Sequence, residues 1–147
     1  MTRALPYVFG LVIIAILVVV ARVVLTSKDP PAGPVTAVWD HEACVFCRMH
    51  VGEPAFAAQL HTEDGDVWFF DDPGCLFEFL DRDAPKVHAM YFHQKDEDRW
   101  IDGKSVGFVE ASPTPMGYGI AAMPCETPGA MSIDAARAKV RAMRESR

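Results

Sequence analysis

The sequence predicts an α+β protein in which two small ββα(β) units pack together, preceded by one N-terminal transmembrane helix. Three observations predict it. From Leu5 to Leu25 every residue is apolar or small except Arg22. From Ala55 the pattern changes to a two-residue alternation that closes on a turn and runs into a capped helical stripe. The order strand, strand, helix then returns in the last third of the chain. The chain divides accordingly into an anchor (1–28), a Pro-rich spacer (29–35), a first ββαβ unit (36–95) and a second ββα unit (96–147).

The apolar run is the length of a membrane span. Twenty-one residues, Leu5 to Leu25, at about 1.5 Å each cover about 31 Å, the hydrocarbon thickness of a bilayer. A cleaved signal peptide has a shorter apolar region, roughly 7–15 residues, ending in small side chains. Val, Leu and Arg stand in that place here, which favours an uncleaved anchor. A lipoprotein signal needs a Cys directly after the run, and the first one is Cys44. Arg3 precedes the run while Arg22 and Lys28 fall at its end, so charge does not decide the orientation. The spacer around "KDPPAGP" is stiff, because consecutive prolines favour extended backbone. From Asp29 onward 20 acids face 11 bases, which argues against a nucleic-acid footprint. Only the last helix is basic (Arg137, Lys139, Arg141, Arg144 and Arg147), and it reads as a solvated face.

Each further element follows from local chemistry. Val35 to Trp39 reads as a short strand. Phe56, Ala58 and Leu60 alternate with Ala57, Gln59 and His61, the period of a half-buried strand. Asp64-Gly65 turns the chain, and "VWFF" (67–70) returns it as a hairpin. Asp72 can cap a helix whose first residue, Pro73, loses nothing by lacking an N–H. Cys75, Leu76, Phe79 and Leu80 form its apolar stripe. "KVHAMYFHQ" (86–94) is a third strand, and "KDEDRWIDGKS" a polar connection. Residues 106–111 and 117–123 are two more strands, and Ser132 opens a helix with Ile133, Ala136, Val140 and Met143 on one face. Neither half buries enough apolar surface alone, so the two should pack together.

The chemistry gathers at "ACVFCRMH" (43–50), where three readings compete. Zinc knuckles use a Cys-x-x-Cys pair, but structural zinc wants four ligands, usually as two pairs. No second pair exists, so zinc would need Cys44, Cys47, Cys75 and one His assembled in space. A redox Cys-x-x-Cys normally opens a helix that lowers one thiol pKa, whereas Gly52 and Pro54 follow closely here. A plain disulfide such as Cys44 to Cys75 is a further possibility. The third reading is a soft metal. In an extended segment Cys47 and Met49 share a face, and a thiolate with a thioether selects Cu(I). Met116, between Pro115 and Gly117, stands on a turned loop instead of a helical stripe, so it can add a third sulfur. Arg48, between these two candidate ligands, reads as a solvent-facing side chain on the opposite face, the alternative being that its charge favours the Cys47 thiolate.

Three stretches give the chain a family resemblance. "CVFCRMH" resembles the CxxCGM turn of the NosL family of membrane-associated copper chaperones, the nitrous oxide reductase accessory proteins. "VWFFDDPGCLFEFL" is similar to that family's FDDxGC segment, and "WIDGKSVGFVEASPTPMGYGIAAM" to its WIDA…TPMG block. The resemblance covers about residues 40 to 125. It implies a periplasm-facing Cu(I) chaperone that serves nitrous oxide reductase or a transporter-type maturation complex. Cys47 and Met49 match the family's ligand pair, Met116 its TPMG methionine, and Cys44 and Cys75 occur in part of the family. Arg48 replaces the glycine of CGM and restricts the turn to negative φ. A transmembrane span replaces the usual lipid-anchored Cys, and a terminal strand is absent.

The functional expectation is therefore a membrane-anchored metallochaperone, not an enzyme, with Cu(I) bound by Cys47, Met49, Met116, Cys44 and Cys75. Its globular part faces the periplasm or cell exterior. A zinc-stabilised, membrane-tethered interaction module and a thiol-disulfide redox protein are the alternatives.

Overall fold

A computed structural model describes residues 5–26 and 29–146, with the side chains of the first helix described from 9 to 24. That helix, α1 (Leu5–Thr26), carries no acidic or basic residue in its first or last turn. Its described large apolar side chains, Phe9 to Val24, are exposed. Among the described residues no helix is long and apolar enough to cross a membrane.

The first hairpin forms as its turn chemistry demands. β1 (Ala58–Thr62) pairs antiparallel with β2 (Val67–Phe70), and Gly65 takes φ 86° where the chain reverses. Asp72 then caps α2 (Pro73–Asp83) by accepting the Gly74 N–H at 2.8 Å, with Pro73 in the first turn. Ala84 ends the helix in a left-handed conformation. β3 (Val87–His93) returns beside β1.

Three expectations need correction. The polar connection contains a strand: β4 (Trp100–Asp102) adds to β3, giving a four-stranded sheet in the order β2-β1-β3-β4. Residues 35–39 form no strand. Instead the Gln59 side chain holds Val35 from both sides, accepting its N–H at 2.9 Å and donating to its carbonyl at 2.6 Å. Finally, β1 is buried along its whole length, not on one face. It lies between β2 and β3, and the polar side chains on it, Gln59 and His61, bond to each other at 3.2 Å.

β5 (Val106–Glu110) and β6 (Ile120–Pro124) make a separate two-stranded sheet. A parallel bridge from Gln94 to Ala122 connects it with the end of β3. Ser132 caps α3 (Ile133–Glu145) by accepting the Ala135 N–H at 3.3 Å, and Ala136 and Val140 are buried as their spacing predicts. One apolar core runs through both halves, with Phe70, Leu76 and Phe77 of the first unit against Phe108 and Ile120 of the second. The basic face of α3 is less solvated than expected. Arg137 and Arg141 both clamp Asp81 of α2, and Arg144 reaches Glu78 at 3.1 Å. The Arg141 hydrogen bond, aided by Arg137, holds the Asp81 carboxyl well below the usual range.

Candidate metal centre

The cysteine turn is a small hairpin of its own. Cys44 donates its N–H to the Met49 carbonyl at 2.8 Å, Arg48 donates to the Cys44 carbonyl at 3.0 Å, and Ala43 bridges His50. Val45 donates to the Phe69 carbonyl at 3.0 Å, which seats the turn on β2 just before α2 begins. Arg48 closes the turn at φ 69°, not at the negative φ that its side chain prefers. That left-handed conformation costs a non-glycine residue about 1–2 kcal/mol. Arg48→Gly should therefore stabilise the chain by about 0.5–1 kcal/mol after glycine's own entropy cost, read as a higher Tm. A lower Tm would mean that the Arg48 side chain supports the turn.

Because the turn abuts the β2–α2 junction, the first turn of α2 brings a third thiol to it. The sulfurs of Cys44, Cys47 and Cys75 all lie within 4.8 Å of one another. All three are free thiols, as is the exposed Cys125. Cys44 and Cys75 are wholly buried, and Cys47 is half-exposed. The Cys44 sulfur sits in a ring of donors. The Cys75 thiol donates to it, the Cys47 N–H points at it from 3.5 Å, and the Asp71 N–H adds to these. The Cys75 hydrogen bond, with the two N–H groups and against burial, draws Cys44 down to about 5. Cys75, whose proton serves Cys44 and which is buried beside its charge, is held far above the ordinary thiol range. Burial pushes Cys47 up, while the Met49 N–H favours its thiolate. The hydrogen bonds within the trio thus favour the thiolate of Cys44, the form in which a cysteine binds metal.

Two buried acids back the centre. Burial pushes Asp71 up to about 6, helped by the charges of Cys44 and Asp72. Burial also raises Asp72, although it accepts the Gly74 and Met116 N–H groups. Sequence reasoning missed Asp71; its only signal was the doubled Asp ahead of Pro73.

Of the five sulfurs singled out in the sequence, the fold gathers the three thiols. Met49 is 44% exposed on the rim of the turn. Met116 is half-buried on the loop between β5 and β6, and its N–H donates to Asp72 Oδ2 at 3.3 Å. Their backbones tie both methionines to the centre, Met49 through its carbonyl to the Cys44 N–H and Met116 through its N–H to Asp72. No histidine joins the thiols among the described residues. His61 is bound to Gln59, and His93 is packed edge-on against Trp39 and Trp100.

No protein-family model matches the chain, and no curated protein matches it. A solved structure does: the crystal structure of the copper chaperone NosL from Shewanella denitrificans. The match has a TM-score of 0.51 at 24% identity, over 76% of this chain and 89% of that one. The fold is that of NosL. At this identity the likeness concerns the NosL fold alone. The three thiols make a group able to hold a metal ion, carried on a fold shared with that copper chaperone.

Proposed function

We propose that the chain is a membrane-anchored Cu(I) chaperone that carries the ion as cargo to a copper enzyme outside the cytoplasmic membrane. The observation that carries this reading is the thiol trio, with Cys44 and Cys75 buried and Cys47 partly exposed. Its donor set is all sulfur, and the buried carboxylates Asp71 and Asp72 stand outside it. Soft sulfur without hard oxygen suits Cu(I), which is content with two or three ligands. Zinc would take the same thiols but wants a fourth ligand, and no His or carboxylate joins the three among the described residues. Met49 and Met116 are the further sulfurs at hand, one on the rim and one on the neighbouring loop.

An open, low-coordinate site lets a recipient's ligand bind before the donor's lets go. The apolar run at Leu5–Leu25 supports a single membrane span, and tethering raises the effective concentration near a membrane-bound recipient. The resemblance of the turn and of the TPMG loop to NosL supports nitrous oxide reductase, or its maturation transporter complex, as that recipient, with the globular part facing the periplasm or cell exterior.

The test is a competition titration of the reduced full-length protein in detergent against a chromogenic Cu(I) chelator, with Zn²⁺ in parallel. One tight Cu(I) per chain is expected, lost on Cys47→Ser and weakened on Met49→Ala. Zinc-dependent folding that ignores Met49 would instead identify a zinc-stabilised module.

A further inference from the structure

The Met116 loop is fastened to the cysteine-bearing helix at two adjacent points. Asp72 is completely buried. Its Oδ1 accepts the Gly74 N–H at 2.8 Å and so caps α2, while its Oδ2 accepts the Met116 N–H at 3.3 Å. One carboxylate thus serves donors in two segments far apart in the chain. Next to it, the Tyr118 side chain packs directly against Gly74. A Cβ at position 74 would come within 2.2 Å of the ring carbons, so only glycine admits that ring. Tyr118 is itself buried. The loop is internally tight as well: Thr114 accepts the Gly117 N–H on its carbonyl at 3.1 Å and the Gly119 N–H on its hydroxyl at 3.2 Å. Both glycines take the positive φ that this reversal requires. Met116 carries the first fastening and stands two residues before the second, and Cys75 directly follows Gly74.

A helix cap needs only one acceptor oxygen, which Ser, Thr or Asn supplies equally well. The second oxygen of Asp72 is therefore surplus to capping, and it is spent on the loop. A buried carboxylate is costly unless its hydrogen bonds are filled. Here each oxygen has a backbone donor.

We propose that Asp72 is a positioning residue that clasps the Met116 loop to the turn presenting Cys75, and thereby sets the rate at which the ion leaves the thiols. The clasp is a property of the metal-free chain. Its effect on release rests on the Cu(I) reading.

The two are tested separately in the full-length protein with Asp72→Asn and Gly74→Ala. Asparagine keeps the cap but presents one oxygen and an NH₂ group, which sets a donor against the Met116 N–H. Gly74→Ala displaces the Tyr118 ring without changing charge, so it separates the clasp from the loss of a buried negative group. In both variants the Met116 amide of the metal-free protein should exchange its hydrogen about tenfold faster or more, the scale of one lost charge-assisted hydrogen bond. Transfer of Cu(I) to a chelator should accelerate by a similar factor, with binding still at one ion per chain. Should Gly74→Ala fail to fold, Tyr118→Leu, which removes the ring from Gly74 without changing charge, takes its place. Unchanged Met116 exchange overturns the clasp. Faster exchange with unchanged Cu(I) transfer overturns its control of release. A wild-type chain that takes no Cu(I) brings down both the release claim and the chaperone reading, and leaves the exchange result to judge the clasp alone.

Discussion

Cys75→Ser should weaken Cu(I) binding by about a hundredfold or more while the protein stays folded. Cys75 is the one thiol of the trio that comes from outside the turn, and it is wholly buried. Serine fills nearly the same space and can still donate a hydrogen bond to Cys44, so the packing loss is small. What disappears is a polarisable sulfur, replaced by a hard hydroxyl oxygen that a monovalent soft ion binds poorly. Even partners that only orient a metal's ligands are worth roughly 10–100-fold in affinity, and a direct ligand should exceed that. The competition titration measures the drop. An affinity equal to wild type would mean that the ion sits on Cys47 and Met49 alone, with Cys75 a packing residue.

Phe108→Ala should cost about 3–5 kcal/mol of unfolding free energy, the usual loss for emptying a buried aromatic site. Phe108 is fully buried on β5, edge-on to Phe92 of β3 at 5.1 Å and to Phe77 of α2 at 5.4 Å. Phe77 and Phe92 also meet, at 5.9 Å. This triangle is where the two halves of the molecule share their core. Domains of this size have only about 5–15 kcal/mol to lose, so the variant should unfold at much lower denaturant. Phe77 lies two residues beyond Cys75, and looser packing there should also slacken the helix turn that presents the thiol. A loss below about 1 kcal/mol, against the 3–5 usual for such a site, would show that the second hairpin is held mainly by its backbone bridge at Gln94 and by α3.

Much of the fold was legible because its signals are local. Asp64-Gly65, Asp72-Pro73 and Ser132 act on the backbone within a few residues, and the turn and both helix starts fall where those residues place them. The errors were about neighbours. Trp100–Asp102 is three residues long, too short to show a period, and becomes a strand only because the edge of β3 offers partners. Gln59 and His61 read as the wet face of a strand. Gln59 is buried where Val35 bonds to it from both sides, and His61 where it bonds to Gln59 and packs on Tyr91. Arg48 read as a residue confined to negative φ. The bonds that close the turn, from Cys44 to Met49 and from Arg48 to Cys44, force it positive.

The metal centre divides along the same line. Residue spacing alone determined that Cys44 and Cys47 would share a turn, that soft sulfur would be concentrated there, and that a helix would start at Asp72, because each depends on covalent proximity and side-chain chemistry. Which sulfurs meet was decided by the tertiary structure. Cys75 joins the turn because the bond from Val45 to Phe69 and the Asp71 N–H at the Cys44 sulfur set the turn beside the helix start. Met116 is held nearby through its amide to Asp72. Contacts between segments distant in the chain carry no period and no spacing; they follow from which surfaces the core brings together.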